Sequence, residues 1–376
     1  MTLPPQGYLV PSARPHIRDS WFHSHFPILL DLMTIPYGMA VRVRVWLYER
    51  GWFSQRRLSC PVISIGNLTV GGTGKTPVVM WMAQWLKSQG KRIGILSRGY
   101  RRTKEDNFLL VSDGRMVLVD AKEAGDEPYL MAKNCPGVVV AVGADRYELG
   151  KWVLGQSEID CFILDDGFQH LGLHRDLNFL LIDGSDSSGL QKMLPAGRLR
   201  EPLAAAERAT AVIVTRADLM TDKDKICGPL QKAVGRTIEP IQIEFQPKSL
   251  SCLSGNEEQP ISWASGKGAL IFSGIGNAMA FRSTVVSLGV NILDEMVFPD
   301  HWAYASSDLE SVRRRMRQVN APFALTTEKD AVKLAPLARG GDEIWAVRLQ
   351  VDIKDGKDRL YQMLNLVKGG VKAVPD

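Results

Sequence analysis

Val62-Ile63-Ser64-Ile65-Gly66-Asn67-Leu68-Thr69-Val70-Gly71-Gly72-Thr73-Gly74-Lys75-Thr76-Pro77 is the stretch on which the fold turns. Val62 to Ile65 is a short apolar run of the kind that forms a buried strand. Pro77 to Gln89 reads as a helix, with Val78, Met82, Trp85 and Leu86 on one face and Gly90 just past its end. Between them lie three glycines, a lysine and a threonine. Glycines let backbone N–H groups turn inward on phosphates, the lysine reaches the outer phosphates, and the hydroxyl can hold Mg2+. Gly71, Gly72, Thr73, Gly74, Lys75 and Thr76 are therefore the expected nucleotide loop, with Thr76 also a metal ligand. The usual glycine five positions before Gly74 is replaced by Thr69. The loop is expected to turn differently at its entry, using Gly66 and Gly71.

A phosphate loop needs an acid at the end of a neighbouring apolar strand to hold its metal. Cys161-Phe-Ile-Leu-Asp165-Asp166 fits that description, making Asp165 a candidate Mg2+ ligand and Asp166 a candidate catalytic group. His170 and His174 follow at helix spacing, but Gly167 and Gly172 argue against a helical zinc site there. His170 is expected to orient a carboxylate or the phosphate chain, with a plain surface histidine as the competing reading. ATP and Mg2+ are the cofactors this arrangement calls for.

Outward from this core, short buried strands are expected at Ile93–Ser97, Val138–Val142, Phe179–Ile182 and Ala211–Thr215, separated by helical segments. That is the pattern of a parallel sheet covered on both faces. Residues 239–267 are rich in Pro, Gly, Ser and Gln and read as a linker with one or two strands. A second α/β unit follows, with strands at Ala269–Phe272, Phe323–Thr326 and Ile344–Val347 and a helix at Ala278–Leu288. The expected architecture is P-loop NTPase-like: two three-layer α/β/α domains joined by a short β-containing linker. The boundaries are 1–60, 61–238, 239–267 and 268–376. Two domains suit a chain of 376 residues, and 45% apolar with 23% charged residues is ordinary for a globular protein. A net charge of +5 does not demand nucleic acid, and none is expected as a partner; no protein partner is implied either. Five scattered cysteines without a Cys-x-x-Cys pair fit a reducing compartment, and Met1 to Arg18 does not read as a secretory signal.

Residues 1–60 have a different texture. Phe26–Leu30 and the uncharged Leu32–Val41 are too short to span a bilayer, and Pro36 and Gly38 argue against one unbroken helix. Arg42, Arg44, Arg50, Arg56 and Arg57 then interleave with aromatic and aliphatic residues. Val41, Val45, Tyr48 and Trp52 recur at helical spacing, although Val41 to Val45 alternates as a strand would. The helix is favoured, lying on an anionic membrane surface. The bland alternative is an element packed on the protein's own core with an exposed arginine face.

The run Ile63 to Pro77 resembles the opening of the tetraacyldisaccharide 4'-kinases, the lipid A 4'-kinases of the Gram-negative envelope pathway. The likeness continues in order through Leu96-Ser-Arg-Gly-Tyr100, Gly125-Asp-Glu-Pro128, Ala144-Asp-Arg146, Leu164-Asp-Asp-Gly-Phe-Gln-His170 and Leu194-Pro-Ala-Gly-Arg-Leu-Arg-Glu-Pro202. It ends with Phe272-Ser-Gly-Ile-Gly276, Phe298-Pro-Asp-His301 and Thr326-Thr-Glu-Lys-Asp330. The resemblance implies γ-phosphoryl transfer from ATP to the 4'-hydroxyl of a lipid disaccharide 1-phosphate. It also implies a peripheral place on the cytoplasmic face of the bacterial inner membrane, and an Asp–His pair, Asp126 with His301, as proton acceptor. Glu127 is a further candidate metal ligand. Arg98, Tyr100, Arg146 and Arg200 are candidate contacts to the anionic lipid. Each arginine could equally be a surface ion pair.

Three rivals remain at this stage. A partition-type ATPase would place a lysine where Val70 stands. A GTPase would need Asn-Lys-x-Asp, and Thr215-Arg-Ala-Asp218 is a poor match. A non-enzymatic nucleotide sensor on a membrane would need no acceptor-side base.

Overall fold

The computed structural model describes residues 27–99, 107–255 and 257–367. In chain order the elements are α1 (Pro27–Glu49), β1 (Val62–Asn67), α2 (Lys75–Ser88), β2 (Ile93–Ser97), β3 (Phe108–Asp113), α3 (Ala121–Ala124), α4 (Asp126–Asn134) and β4 (Val139–Gly143). They continue with α5 (Arg146–Leu154), β5 (Cys161–Asp165), β6 (Leu177–Asp183), β7 (Ala211–Thr215), α6 (Lys223–Val234), β8 (Ile241–Cys252) and β9 (Glu258–Pro260). The last are β10 (Gly268–Ser273), α7 (Ala278–Ser287), β11 (Asn291–Val297), α8 (Ser306–Gln318), β12 (Phe323–Thr327), α9 (Glu328–Leu334), β13 (Ile344–Asp355) and α10 (Lys357–Leu366). Two compact units result. One holds residues 27–246 with the returning segment from 350, the other residues 247–349.

The larger unit is built on a sheet ordered β8-β7-β6-β1-β5-β2-β4-β3. Its pairings are parallel except the edge pair β3–β4. Strands β1, β2, β4, β5 and β6 are buried along their whole length, as their near-continuous apolar sequences require of a sheet covered on both faces. Strand β5 inserts between β1 and β2, and its register sets Asp165 opposite Ile65. The acid thus ends its strand beside the entrance to the glycine loop, at the carboxyl edge where parallel sheets bind ligands. Helix α10 returns to this unit, where Tyr361 stacks on Trp85 with ring centroids 4.9 Å apart. No local pattern foretold that return.

The smaller unit carries the parallel order β11-β10-β12-β13, with β9 antiparallel to the later part of β8. Its two apolar layers centre on Phe281, Phe323 and Trp345 on one side and on Phe272, Phe298 and Leu309 on the other.

Helix α1 corrects one expectation and refines another. It runs unbroken through Pro36 and Gly38. Contacts on both sides of the proline hold it: Thr34 Oγ1 bonds Leu30 O at 3.1 Å, and Tyr37 Oη donates to Arg200 O at 3.0 Å. Gly38 is buried against the Met193 side chain. These side-chain bonds, one within the helix and one to a distant segment of chain, offset the cost of the missing proline N–H. Val41, Val45 and Tyr48 are half-buried on the protein side, and Trp52 lies beyond the helix end. The exposed stripe is instead Ile28, Leu32, Ile35, Met39, Val43 and Trp46, spaced by three or four residues as one helix face requires. Among the described residues no helix is long and apolar enough to cross a membrane.

Candidate active site

The glycine loop is held from outside. Arg198 Nε and Nη2 donate to Val70 O at 3.0 and 2.8 Å. Arg216 Nη1 donates to Gly72 O at 3.0 Å, and Thr215 Oγ1 to Thr73 O at 2.9 Å. These bonds fix three carbonyls of a glycine loop of the kind whose amides bind anions. Gly71 has φ +118°, and Gly74 has φ +76° with no room for a Cβ beside the Phe245 ring, 2.5 Å away. Both need glycine. Gly66 does not make the entry turn as expected. It lies inside β1, where a Cβ would sit 2.6 Å from the Phe168 backbone nitrogen; close packing, not a turn, requires it.

Lys75 opens α2, where the helix dipole also favours an anion. Its Nζ lies 3.1 Å from Asn67 Oδ1 and 3.4 Å from Asp166 Oδ1. Arg200 Nη1 reaches the other Asp166 oxygen at 2.8 Å. Asp166 has φ +52°, a left-handed backbone uncommon outside glycine. Burial raises the Asp166 pKa, but the charges of Lys75 and Arg200 outweigh it and hold the group below the usual carboxylate range.

Asp165 is in the opposite situation. It is buried, and Ser97 Oγ donates to its Oδ2 at 2.9 Å. Its buried Oδ1 has no hydrogen-bond partner. Burial first, then the negative charges of Glu127 and Asp166, push its pKa up. An orphaned buried carboxylate oxygen near a second acid is what a cation would satisfy. Asp165 and the nearby Glu127 are both hard oxygen donors, the chemistry that Mg2+ takes.

Asp126 and Glu127 form the first turn of α4, after Gly125 at φ +91°. Arg146 begins α5 and is buried. Its Nη1 donates to Gly143 O and Ala144 O at 3.1 and 2.8 Å, and its buried Nε has no partner. Burial lowers the Arg146 pKa; Asp165 opposes the shift and Arg98, which is exposed, adds to it. His170 is pushed down to about 4 by burial and then by Arg146. Tyr100 lies outside the described residues.

His301 belongs to the smaller unit, whereas Asp126 belongs to the larger one. His301 has φ +57°, and Lys329 Nζ lies 3.1 Å from its Nε2. An ammonium only donates, so this Nε2 accepts. Lys329 also pairs with Asp300 at 3.6 Å.

Several residues at this site were not singled out in the sequence. Asn67 ends β1 and bonds Lys75; Gln169 Nε2 donates to Asn67 O at 2.9 Å, and Arg200 Nη1 lies 3.4 Å from Gln169 Oε1. A polar residue ending an apolar strand was the available signal for Asn67. Nothing local marks Tyr37.

A family model described as tetraacyldisaccharide-1-P 4'-kinase matches residues 26–367. The tetraacyldisaccharide 4'-kinase of Geobacter metallireducens is 40% identical over 329 residues, covering 88% of this chain and 95% of its own length. That of Geobacter sulfurreducens is 41% identical over 316 residues, covering 83% and 86%. The Aquifex aeolicus LpxK, solved in complex with ATP, superposes with a TM-score of 0.72 at 35% identity, covering 89% of this chain and 97% of that one. A match that spans nearly the whole chain, with a phosphate loop and paired acids in the places the motifs require, carries one conclusion: the chain belongs to the tetraacyldisaccharide-1-P 4'-kinase family.

Proposed function

We propose that this protein transfers the γ-phosphoryl group of ATP to the 4'-hydroxyl of a tetraacyldisaccharide 1-phosphate. The sugar oxygen attacks the γ-phosphorus, the bond to the β,γ-bridging oxygen breaks, and ADP leaves with that electron pair. The hydroxyl proton passes to a protein base. Such transfer depends mainly on positioning and charge neutralisation. The observation that carries the reading is the division of labour at the loop: Lys75 is tethered by Asn67 and Asp166, beside an Asp165 oxygen that no protein group satisfies.

In this reading Gly71 to Thr76 hold the triphosphate, and Lys75 meets its outer oxygens. Thr76, Asp165 and Glu127 would hold Mg2+, which when bound supplies positive charge to the phosphates. Asp166 and Arg200 fix Lys75 and the acceptor side. Arg98, Arg146 and Tyr100 meet the lipid phosphate. Asp126, assisted by His301, takes the proton; a lone carboxylate is a weak base towards a sugar hydroxyl, and a histidine sharing the proton improves it. His170 orients this set as a neutral ring. The exposed apolar stripe of α1, with Arg42 and Arg50 also exposed, suits a helix lying in the headgroup layer. This supports peripheral placement on an anionic membrane; the cytoplasmic face of the inner membrane is what the family resemblance implies.

Incubation with γ-labelled ATP, Mg2+ and tetraacyldisaccharide 1-phosphate in detergent tests the activity. Label in a bis-phosphorylated lipid is expected. ATP hydrolysis that leaves the lipid unlabelled would refute it.

A further inference from the structure

Helix α1 has two faces with different neighbours. The outer one is the exposed apolar stripe. On the inner one, Tyr37 Oη donates to the backbone carbonyl of Arg200 at 3.0 Å, and Arg44 Nη2 to that of Gln169 at 3.2 Å. Those two residues then meet each other and the two residues that hold the phosphate lysine. Arg200 reaches Asp166 and Gln169 Oε1, Gln169 donates to Asn67 O, and Asn67 and Asp166 hold Lys75. A short chain of hydrogen bonds therefore leads from the inner face of α1 to Lys75. Tyr37 suits this role as a protonated donor, since burial and then Glu201 raise its pKa.

We propose that Tyr37 and Arg44 are positioning residues for phosphoryl transfer. Through the backbones of Arg200 and Gln169, the inner face of α1 fixes the side chains that align Lys75 and Asp166. The proposal rests on the kinase reading of the site. The helix is then part of the active-site scaffold as well as a lipid-facing element, and its two faces are separable by mutation. Loss of one such hydrogen bond leaves the chain in place but loosens the network, for a rate loss of about five- to tenfold. A misplacement of this kind acts on kcat more than on lipid KM, because neither residue is assigned a substrate contact.

The test uses the full chain and two readouts. The first is kcat and lipid KM in detergent micelles at saturating Mg2+ and ATP. The second is co-sedimentation with vesicles of phosphatidylethanolamine and phosphatidylglycerol. Tyr37→Phe is expected to lower kcat about five- to tenfold, with KM within about twofold and co-sedimentation unchanged. Arg44→Gln, on an exposed side chain whose loss spares the core, is expected to show the same kcat loss in detergent. Ile35→Ser is expected to reduce co-sedimentation. If both inner-face variants keep kcat within about twofold, or if kcat falls only in step with vesicle binding, α1 is an anchor alone and the proposal fails. Lys75→Ala separates the two levels. Its inactivity with normal Tyr37→Phe and Arg44→Gln rates would sink only the positioning role. Activity surviving in Lys75→Ala would overturn the reading of the site and this inference with it.

Discussion

Replacing Asp166 by Asn, Ala and Gly separates what this residue does for the fold from what it does for the reaction. All three changes remove the carboxylate that pairs with Arg200 at 2.8 Å and Lys75 at 3.4 Å. The Asp166 side chain is 36% exposed, so the lost charge-assisted bonds are worth less than a fully buried set. We take about 1–2 kcal/mol after discounting for solvent. The backbone adds a second effect. At φ +52° a Cβ-bearing residue is strained by about 1–2 kcal/mol, less for Asn and Asp, and not at all for Gly. Asp166→Asn should therefore lose about 1–2 kcal/mol, and Asp166→Ala about 1 kcal/mol more. Asp166→Gly should recover about 1 kcal/mol of the loss, subject to the greater freedom of its unfolded chain. Activity should not follow that order. Each variant leaves Lys75 held by Asn67 alone and releases the Arg200 guanidinium, so kcat should drop about 10²-fold in all three. Urea unfolding gives the stabilities, and γ-phosphoryl transfer to lipid in detergent gives the rates. Asp166→Asn working within about threefold of wild type would show that the charge is not needed. Equal stability of the Asn and Ala variants would refute the backbone argument.

Three further outcomes are expected. If Asp126 and His301 act as one base, the double alanine variant should lose little more kcat than either single one, and fully additive losses would exclude a dyad. His170 should titrate near 4 in an NMR pH series, against about 6.5 for an exposed ring. The unfolded chain takes up that proton first, so His170 costs stability as pH falls from about 6.5 through 4, and a midpoint near 6.5 would contradict the buried setting. In the smaller unit, buried Asp330 accepts from Gly274 N at 2.9 Å and Thr327 Oγ1 at 2.8 Å and pairs with Lys333 at 3.2 Å. Asp330→Ala should destabilise that unit by about 3–5 kcal/mol, seen as early protease cleavage within residues 247–349; wild-type resistance would contradict this.

The features legible in the sequence are those whose chemistry is local. The glycine loop declares itself because φ above zero, a lysine and a hydroxyl must follow one another within six residues. The strand to Asp165 is legible because a two-sided buried strand is apolar throughout. What stayed hidden depends on neighbours distant in sequence. Gly66 looked like part of a turn, yet it is fixed by Phe168, a hundred residues on. Pro36 looked like a helix break, yet Tyr37 and Thr34 find partners near residues 193–200 that carry α1 past it. Asn67 and Gln169 are unremarkable as residue types; only the pairing of β1 with β5 brings the segment after Asp165 back over the end of β1.

The adjacent acids show why a motif can be read correctly while its roles stay open. Asp165 and Asp166 are chemically alike and one peptide apart. The left-handed backbone at Asp166 turns the chain between them, and each carboxylate meets a different neighbourhood. Asp165 has Ser97 as donor and feels Glu127, so burial and like charge raise its pKa. Asp166 meets Lys75 and Arg200, and their charges overcome the cost of burial. One acid is therefore suited to a cation from solution, and the other is already neutralised by the protein's own. Exchanging their roles would put a metal ion against two fixed cations and leave a lysine without its tether. The dihedral angle of one residue thus assigns the two functions, and no reading of Asp-Asp as a pair of letters could have ordered them.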